Sequence, residues 1–405
     1  MRSISLFLLR YLLIAALIAA CGYALILARA SYLFHEDTAK SVPAAVALVP
    51  YNAEYVARLA AWDSSQRIPL LHRAIALDPF DYQSWIQLGL LSELQQQKMA
   101  QAERDYLKAA EVNRMFLPKW TLMNFYFRRQ NQTEFFRWAK ETLAITPYSS
   151  DPVFAQMWLM TQQSSVIAAA VPDRPRILVQ YAWFLSNNHQ FPAIPPIVKR
   201  LVGTAGNSDP HAWGRDDLVA TIEDRLLAAA DLQSALQVWT SMQRGGWLHE
   251  SIPSPAHPVT NGDFAAPLYL HGFDWQIDSA PGATVGGFTD EKALRLTLSG
   301  DQPESCVLIR QYIPVDPDRS YHLQWSAAAG QIEDPRGLTW HVRPVGIESH
   351  NDLSSGDIVG AANRWDFRSP ARVNLCLLTL EYARPLGTVR ARGTVSLRAV
   401  SLTEQ

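Results

Sequence analysis

Two periods divide the chain. From Tyr51 to about Trp247, apolar residues recur every three or four positions, the spacing of one face of an α-helix. The segment LHESIPSPAHPVT then carries Pro253, Pro255 and Pro258, which lack amide donors and resist helix, and it predicts a stiff linker. Beyond it the period falls to two. ALRLTLSG sets Leu294, Leu296 and Leu298 on one face and Arg295 and Thr297 on the other. YHLQW and LTWHV repeat the alternation through Tyr321, Leu323 and Trp325, and through Leu338, Trp340 and Val342. CVLIRQYIPV, NLCLLTLEYA and GTVSLRAVSL read as further strands, separated by turns such as DPDRS and SGD. About eight strands over roughly 145 residues predict a two-sheet sandwich or jelly roll.

Ahead of both regions, Tyr11–Ala28 is a run of 18 residues without a charge, close to the least that crosses a bilayer as a helix. Arg2 and Arg10 precede it, and Arg29, His35, Glu36, Asp37 and Lys40 lie after it. Retention of positive charge on the cytoplasmic side orients such a segment with its N-terminus inside and the remaining chain exported. Two other readings stay open. Ala28-Arg29-Ala30 before Ser31 has the small-residue pattern of a signal-peptide cleavage site. Ile18-Ala19-Ala20-Cys21 has the pattern of a lipobox that would lipidate Cys21, although GYALILA stays apolar where a polar tether is expected. All three readings export the body of the chain.

The expected fold class is therefore multidomain α + β. Residues 1–30 form a transmembrane anchor or signal segment and 31–50 a juxtamembrane linker. A helical-hairpin solenoid covers 51–248, a Pro-rich linker 249–259 and a jelly roll 260–405. The expected location is a membrane, crossed once, with the body on the exported side.

Composition narrows the partners. Charged residues make 18% and the net charge is −2, and nothing in the sequence suggests nucleic-acid binding, which needs clustered Lys and Arg. Three cysteines are too few for a disulfide scaffold. With Cys21 in the anchor, Cys306 and Cys376 remain, either as a disulfide between neighbouring strands or as two buried thiols.

Within the helical region, ALDPFDYQSWIQLGLLSELQQQKMAQAERDYLKAAEVN resembles a tetratricopeptide repeat (TPR), a helical hairpin of about 34 residues. Trp85, Leu88 and Gly89 match its first helix, Ala102, Tyr106 and Ala109 its second, and Pro79 precedes them. Small residues at 89 and 102 allow close crossing, and Trp85 and Tyr106 fill the space beside them. A degenerate next unit keeps Ala139 and Pro147 and puts Asn124 in the glycine slot. Further hairpins are expected upstream, between PYNAEYVARLAAW and LLHRAIALDP, and downstream, from ILVQYAWFLSNNHQ to PPIVKRLV and from DDLVATIEDRLLAAA to DLQSALQVWTSM. Stacked hairpins form a solenoid whose concave face binds proteins. In FYFRRQNQTEFFRWAK, Arg128, Arg129 and Arg137 are the candidates for a protein-binding ridge, against a solvated face over an aromatic core. Asp216, Asp217, Glu223 and Asp224 read as a solvated acidic face.

NGDF, GFDW, LRLTLSG and IRQYIPVDPDRSYHLQWSA resemble carbohydrate-binding modules of the galactose-binding-like jelly-roll type. That resemblance implies glycan binding without cleavage. Ala265 stands where a glutamate is usual, and Arg398 and Ala399 where an aspartate is usual, so the calcium those acids hold is not expected here. Sugars need an exposed ring and polar neighbours. Alternation puts Trp325 and Trp340 in the core, and Trp275 reads as packing. Trp365, in the loop-like NRWDFRSP, is the exposed candidate, with His322, Gln324, His341 and Arg343 lining a polar cleft.

Phosphate-binding loops, HExxH, GxSxG and CxxC are all absent from the sequence, and no cofactor or metal is expected. The layout of anchor, degenerate repeats and terminal GFDW jelly roll resembles bacterial envelope proteins associated with exopolysaccharide assembly. The expected function is a non-enzymatic tethered scaffold that binds an envelope protein through its solenoid and polysaccharide through its jelly roll. The other reading is a glycan-active enzyme using Glu333, Asp334 and Glu381.

Overall fold

A computed structural model of the chain describes residues 2–205, 216–347, 352–359 and 363–405. Compactness divides it into two units: Met1–Ser149 with Ala155–Gln162, and Ser150–Phe154 with Gln163–Gln405.

The first unit begins with α1 (Arg2–Glu36), whose stretch Arg10–Glu36 is long and apolar enough to cross a membrane. Next comes α2 (Ser41–Leu48), so most of the segment read as a linker is helical, built from Ala and Val with no glycine to loosen it. Three hairpins come after it: α3 (Ala53–Trp62) with α4 (Arg67–Leu77), α5 (Tyr82–Leu90) with α6 (Met99–Val112), and α7 (Phe116–Arg128) with α8 (Gln132–Leu143). Side chains of Asn52, Asp81 and Asn131 accept backbone amides at the starts of α3, α5 and α8, filling donors that a helix start leaves open. The turns between hairpins repeat one device. The amides of Phe80, Met115 and Tyr148 donate to side-chain oxygens two residues back, on Asp78, Asn113 and Thr146.

Gly89 shows why the α5/α6 crossing is close. A Cβ there would lie 2.5 Å from the Tyr106 ring. Asn124, in the corresponding slot of the next hairpin, instead donates to the Trp120 carbonyl and accepts from Gln156 on α9 (Asp151–Met160).

In the second unit α10 (Ser164–Ala170), α11 (Pro175–Asn187), α12 (Ile194–Ala205), α13 (Asp216–Ala228) and α14 (Leu232–Arg244) precede the strands. These are β1 (Gln276–Ile277), β2 (Ala283–Phe288), β3 (Ala293–Ser299), β4 (Ser305–Pro314) and β5 (Ser320–Glu333). The others are β6 (Leu338–Pro344), β7 (Leu353–Asp357), β8 (Arg364–Arg368), β9 (Leu375–Ala383) and β10 (Arg392–Glu404). They form two five-stranded antiparallel sheets, ordered β1-β4-β9-β6-β7 and β2-β3-β10-β5-β8. Trp275, Trp325 and Trp340 lie between the sheets with Tyr321 and Tyr382, so the core the alternation predicts is the core that forms. The indole N–H groups of Trp325 and Trp275 donate to the carbonyls of Ile358 and Asn261.

The opening motif of the β-region clamps it shut. The Val400 amide donates to the Gly262 carbonyl, and a Cβ on Gly262 would fall 2.0 Å from the Val400 oxygen. The Asn261 side chain pairs with both backbone polar groups of Ala266. Upstream, Leu248, Glu250, Pro253 and Pro258 are buried and the Trp239 indole donates to the Ser251 carbonyl, so the Pro-rich segment is packed into the unit.

Candidate functional site

The four polar residues read as one cleft belong to opposite surfaces. His322 and Gln324 point outward from β5, in the second sheet, while His341 and Arg343 point outward from β6, in the first. Alternation is the same in both strands, but the shared core lies between them, so their outward faces look away from each other. On β5, His322 bonds Asp366 and its other ring nitrogen meets Gln324 at 2.8 Å. Trp365 joins neither group. It lies in β8 rather than a loop, opposite the inward-facing Leu323, half-buried against the core and 4.7 Å from the Phe367 ring. Its ring is edge-strand packing.

The richest polar surface is the outer face of β4, β9 and β6. Register sets Tyr312, Leu377 and Arg343 in one row and Arg310, Thr379 and His341 in the next. Glu381 and Thr339 form a third row. Arg343 reaches both Glu381 and Asp352, the latter at 2.8 Å. His341 contacts Asp352 at 3.1 Å and Thr339 at 2.9 Å, and Thr379 donates to Glu381 at 2.6 Å. Burial alone would raise the Glu381 carboxyl, but hydrogen bonds from Arg343 and Thr379 outweigh it and hold the group below the usual range. Arg343 is raised in turn, mainly by Glu381. Sequence reasoning named three members of this surface, His341 and Arg343 for binding and Glu381 for catalysis, and missed Tyr312, Thr379, Arg310 and Asp352. The odd-even pattern of β4 and β9 contained that signal, but the pairing of β4 with β9 and β6 did not show in either strand alone.

This sheet is joined at one edge to the last helical hairpin. Asp224 of α13 accepts from the Gly272 amide at 2.7 Å and the Gln276 side chain at 3.0 Å, and meets His271 Nδ1 at 2.7 Å. Gln276 passes the contact on by accepting from Arg310 at 3.0 Å. Burial raises the Tyr312 hydroxyl, with Arg310 opposing and the charge of Asp224 adding to it. The GFDW motif is the bolt. Gly272 has φ +61°, and a Cβ on it would meet Trp239 at 2.6 Å and Glu223 at 2.8 Å. Phe273 sits edge-on to Trp239 at 5.6 Å, and Trp275 continues into the sandwich core.

Glu223 and Asp224 of the acidic run are not part of a solvated face. Glu223 is fully buried and, among the described residues, neither carboxylate oxygen has a hydrogen-bond partner. Its carboxyl is pushed well above the usual range by burial and by Asp224. Asp274 is buried too and raised to about 6, by burial and then by the charge of Glu250, against hydrogen bonds that lower it. The side chains of Asp216 and Asp217 lie outside the described residues.

The candidate solenoid arginines are largely committed within the chain. Arg128 forks onto Glu93 at 2.7 and 2.8 Å. Arg137 pairs with Glu134 at 2.9 Å and covers the Trp138 ring. Arg129 is exposed. Phe125, Phe135 and Trp138 are core.

Cys306 and Cys376 are free thiols, against the disulfide reading. Both strands pair, but Cys306 stands opposite Tyr382 and Cys376 opposite Ile313. The cysteines therefore sit at opposite ends of the ladder, roughly 20 Å apart at about 3.4 Å per residue. Burial pushes the Cys376 thiol up to about 12 and raises Cys306 as well. No cluster of His, Cys, Asp and Glu suited to a metal occurs among the described residues.

Comparison with known proteins found no matching family model and no matching curated protein. Among solved structures, a CBM4 structure aligns at 15% identity over 36% of this chain and 98% of its own, with a TM-score of 0.27. The CBM1 of BiXyn10A in its apo form aligns at 15% identity over 35% and 95%, with a TM-score of 0.23. The TPR domain of P58(IPK) aligns at 14% identity over 55% and 73%, with a TM-score of 0.22.

Proposed function

We propose that the chain is a non-enzymatic scaffold of the bacterial cell envelope, anchored once in the inner membrane by α1. Its helical hairpins bind an envelope protein partner, and its sandwich contacts polysaccharide during exopolysaccharide assembly or export. The supporting observation is the outer face of β4, β9 and β6. There Arg343 and Thr379 are fixed by bonds to Glu381, and His341 by Asp352, beside the half-buried Tyr312 ring. A fixed fork and a ring suit hydroxyls and an apolar sugar face.

Two of the three carboxyls in the enzymatic reading, Glu381 on this surface and Asp334 after β5, are poor candidates for a catalytic acid. A glycosidase needs one carboxyl that keeps its proton and another that has lost it. Glu381 is held ionised by Arg343, and Asp334 is lowered by its own bond to Arg336. Neither carboxyl is poised as an acid.

The test is a glycan array probed with the full chain in detergent, alongside Tyr312→Ala, Arg343→Ala and His322→Ala. Retention on envelope polysaccharide should be lost in the first two and kept in the third. Silence on the array, with no protein co-purifying from envelope membranes, would remove the reading. Turnover of a bound glycan would replace it with the enzymatic one.

A further inference from the structure

The second helix has no water-facing side chemistry. From Ser41 to Ala53 the sequence SVPAAVALVPYNA carries no charge between Lys40 and Glu54. Ser41, Val42, Ala45, Val46 and Val49 are buried, and the exposed positions are Pro43, Ala44, Ala47, Leu48, Pro50 and Tyr51. A surface helix of a soluble body shows polar residues opposite its core stripe, whereas one apolar all round belongs in a core or in lipid. α2 is half-exposed and apolar all round.

Its neighbour explains this. α2 packs along α1, with Tyr51 beside Tyr23. Coverage of α1 changes where this contact begins. On the α1 face that carries Tyr23, Leu12 is 66% exposed, Tyr23 and Leu27 fall to 49% and 38%, and Ala30 is fully buried, while Leu25 on another face stays 71% exposed. Phe34 then stacks on Tyr55, and Asp37 bonds Arg58 and Trp62. The tip of α2 thus stands beside α1 at a level that includes part of the uncharged run Tyr11–Ala28.

That run leaves no slack. Its 18 residues rise about 27 Å as a helix, against a hydrocarbon layer of about 30 Å. Moving the boundary below Tyr23 would draw Arg10 into hydrocarbon, which is costly. With Arg29 at the surface, Tyr23 lies six residues, or about 9 Å, inside. Tyr51, beside it, lies at a similar level.

We propose that the tip of α2, Ala47 to Tyr51, is a membrane wedge seated in the headgroup–acyl boundary of the leaflet on the solenoid's side, with Leu48 and Pro50 against lipid. This rests on the reading of α1 as a membrane span. Tyrosine suits the position, its ring in the apolar layer and its hydroxyl at the wet edge. The wedge fixes the first hairpin to the bilayer surface at two points, α1 and the tip, so the solenoid cannot swivel freely on its anchor.

The test uses the full chain with Cys21, Cys306 and Cys376 replaced by alanine, reconstituted in phosphatidylethanolamine and phosphatidylglycerol vesicles. An environment-sensitive fluorophore is attached at Leu48→Cys, with Ala47→Cys as a second site and Leu17→Cys as the control inside the span. Lipid carrying a nitroxide near the headgroup should quench the probe at 47 and 48. Alkaline carbonate should leave the protein in the pellet. Retention in carbonate with unquenched probes at both sites would overturn the wedge and leave the span standing. Release by carbonate would overturn both.

Discussion

Arg128 holds the Glu93 carboxylate with both arms of its guanidinium across 35 residues of chain, while the Tyr106 hydroxyl donates to the same carboxylate at 2.8 Å. Glu93 reaches this place because α5 continues into a single π-turn, Leu91–Gln95, that rotates it inward. One buried acid therefore ties together the end of one hairpin's first helix, its second helix and the first helix of the next.

Breaking that tie should loosen the first unit. Burial alone would raise Glu93, and the bonds from Arg128 and Tyr106 outweigh it and lower it. A lowered carboxyl contributes stability that is present above its unfolded value and lost as pH falls through the folded one. The loss should begin below about pH 4.3. Arg128→Ala should cost about 1–3 kcal/mol at neutral pH by leaving a buried carboxylate without its main partner. Urea denaturation at pH 7 and pH 3.5 checks both points, since the cost should shrink at the lower pH.

Gly89→Ala should destabilise despite the better helix propensity of alanine. The added methyl lands 2.5 Å from the Tyr106 ring, and overpacking of this kind costs about 1–3 kcal/mol. Shrinking the ring by Tyr106→Leu should make the Gly89 change nearly neutral in the double variant. Thermal melts of the four proteins in the cycle measure the coupling. Equal costs of Gly89→Ala in both backgrounds would show that the crossing relaxes.

At the junction of α13 with the sandwich, the sign of the pH effect reverses. Asp274 and Glu223 are raised, so the stability they allow is complete below their unfolded values and is lost as pH rises. For Asp274 the window runs from about 4 to about 6. Glu223→Gln should therefore stabilise the second unit at pH 7.5 more than at pH 5. Denaturation at the two pH values checks it, and an equal effect at both would count against a buried, protonated Glu223.

Cys306 and Cys376 should stay reduced after export into an oxidising compartment. Alkylation of the unfolded protein followed by peptide mapping should find both thiols. In the native state Cys376 should resist alkylation, because it is fully buried and its thiol is pushed up to about 12. A linked peptide pair would contradict the register of β4 and β9.

Local periodicity made the fold class legible. Leu294, Leu296 and Leu298, and Leu338, Trp340 and Val342, alternate into the core where the pattern puts them. Gly89 and Tyr106 likewise meet, and Ala102 is buried, as the repeat signature implies. The site was less legible because it depends on which strands become neighbours. His322 and His341 have the same local pattern, yet only sheet membership decides that they face opposite ways. Trp365 looked like a loop residue because Asn363, Asp366 and Ser369 surround it, and pairing with β5 overrides that polarity. Glu223 looked solvated because a helix period cannot show that a glycine turn from another region will cover it.

The GFDW bolt also bears on how this protein can be divided. A fragment beginning at Thr260 would keep the sandwich core but strip Trp239 from Phe273 and Asp224 from the Gly272 amide. It would present a bare aromatic ring to solvent and leave Gln276 without the carboxylate it donates to. Such a fragment should stick to itself, whereas one that begins ahead of α13 carries its own cover.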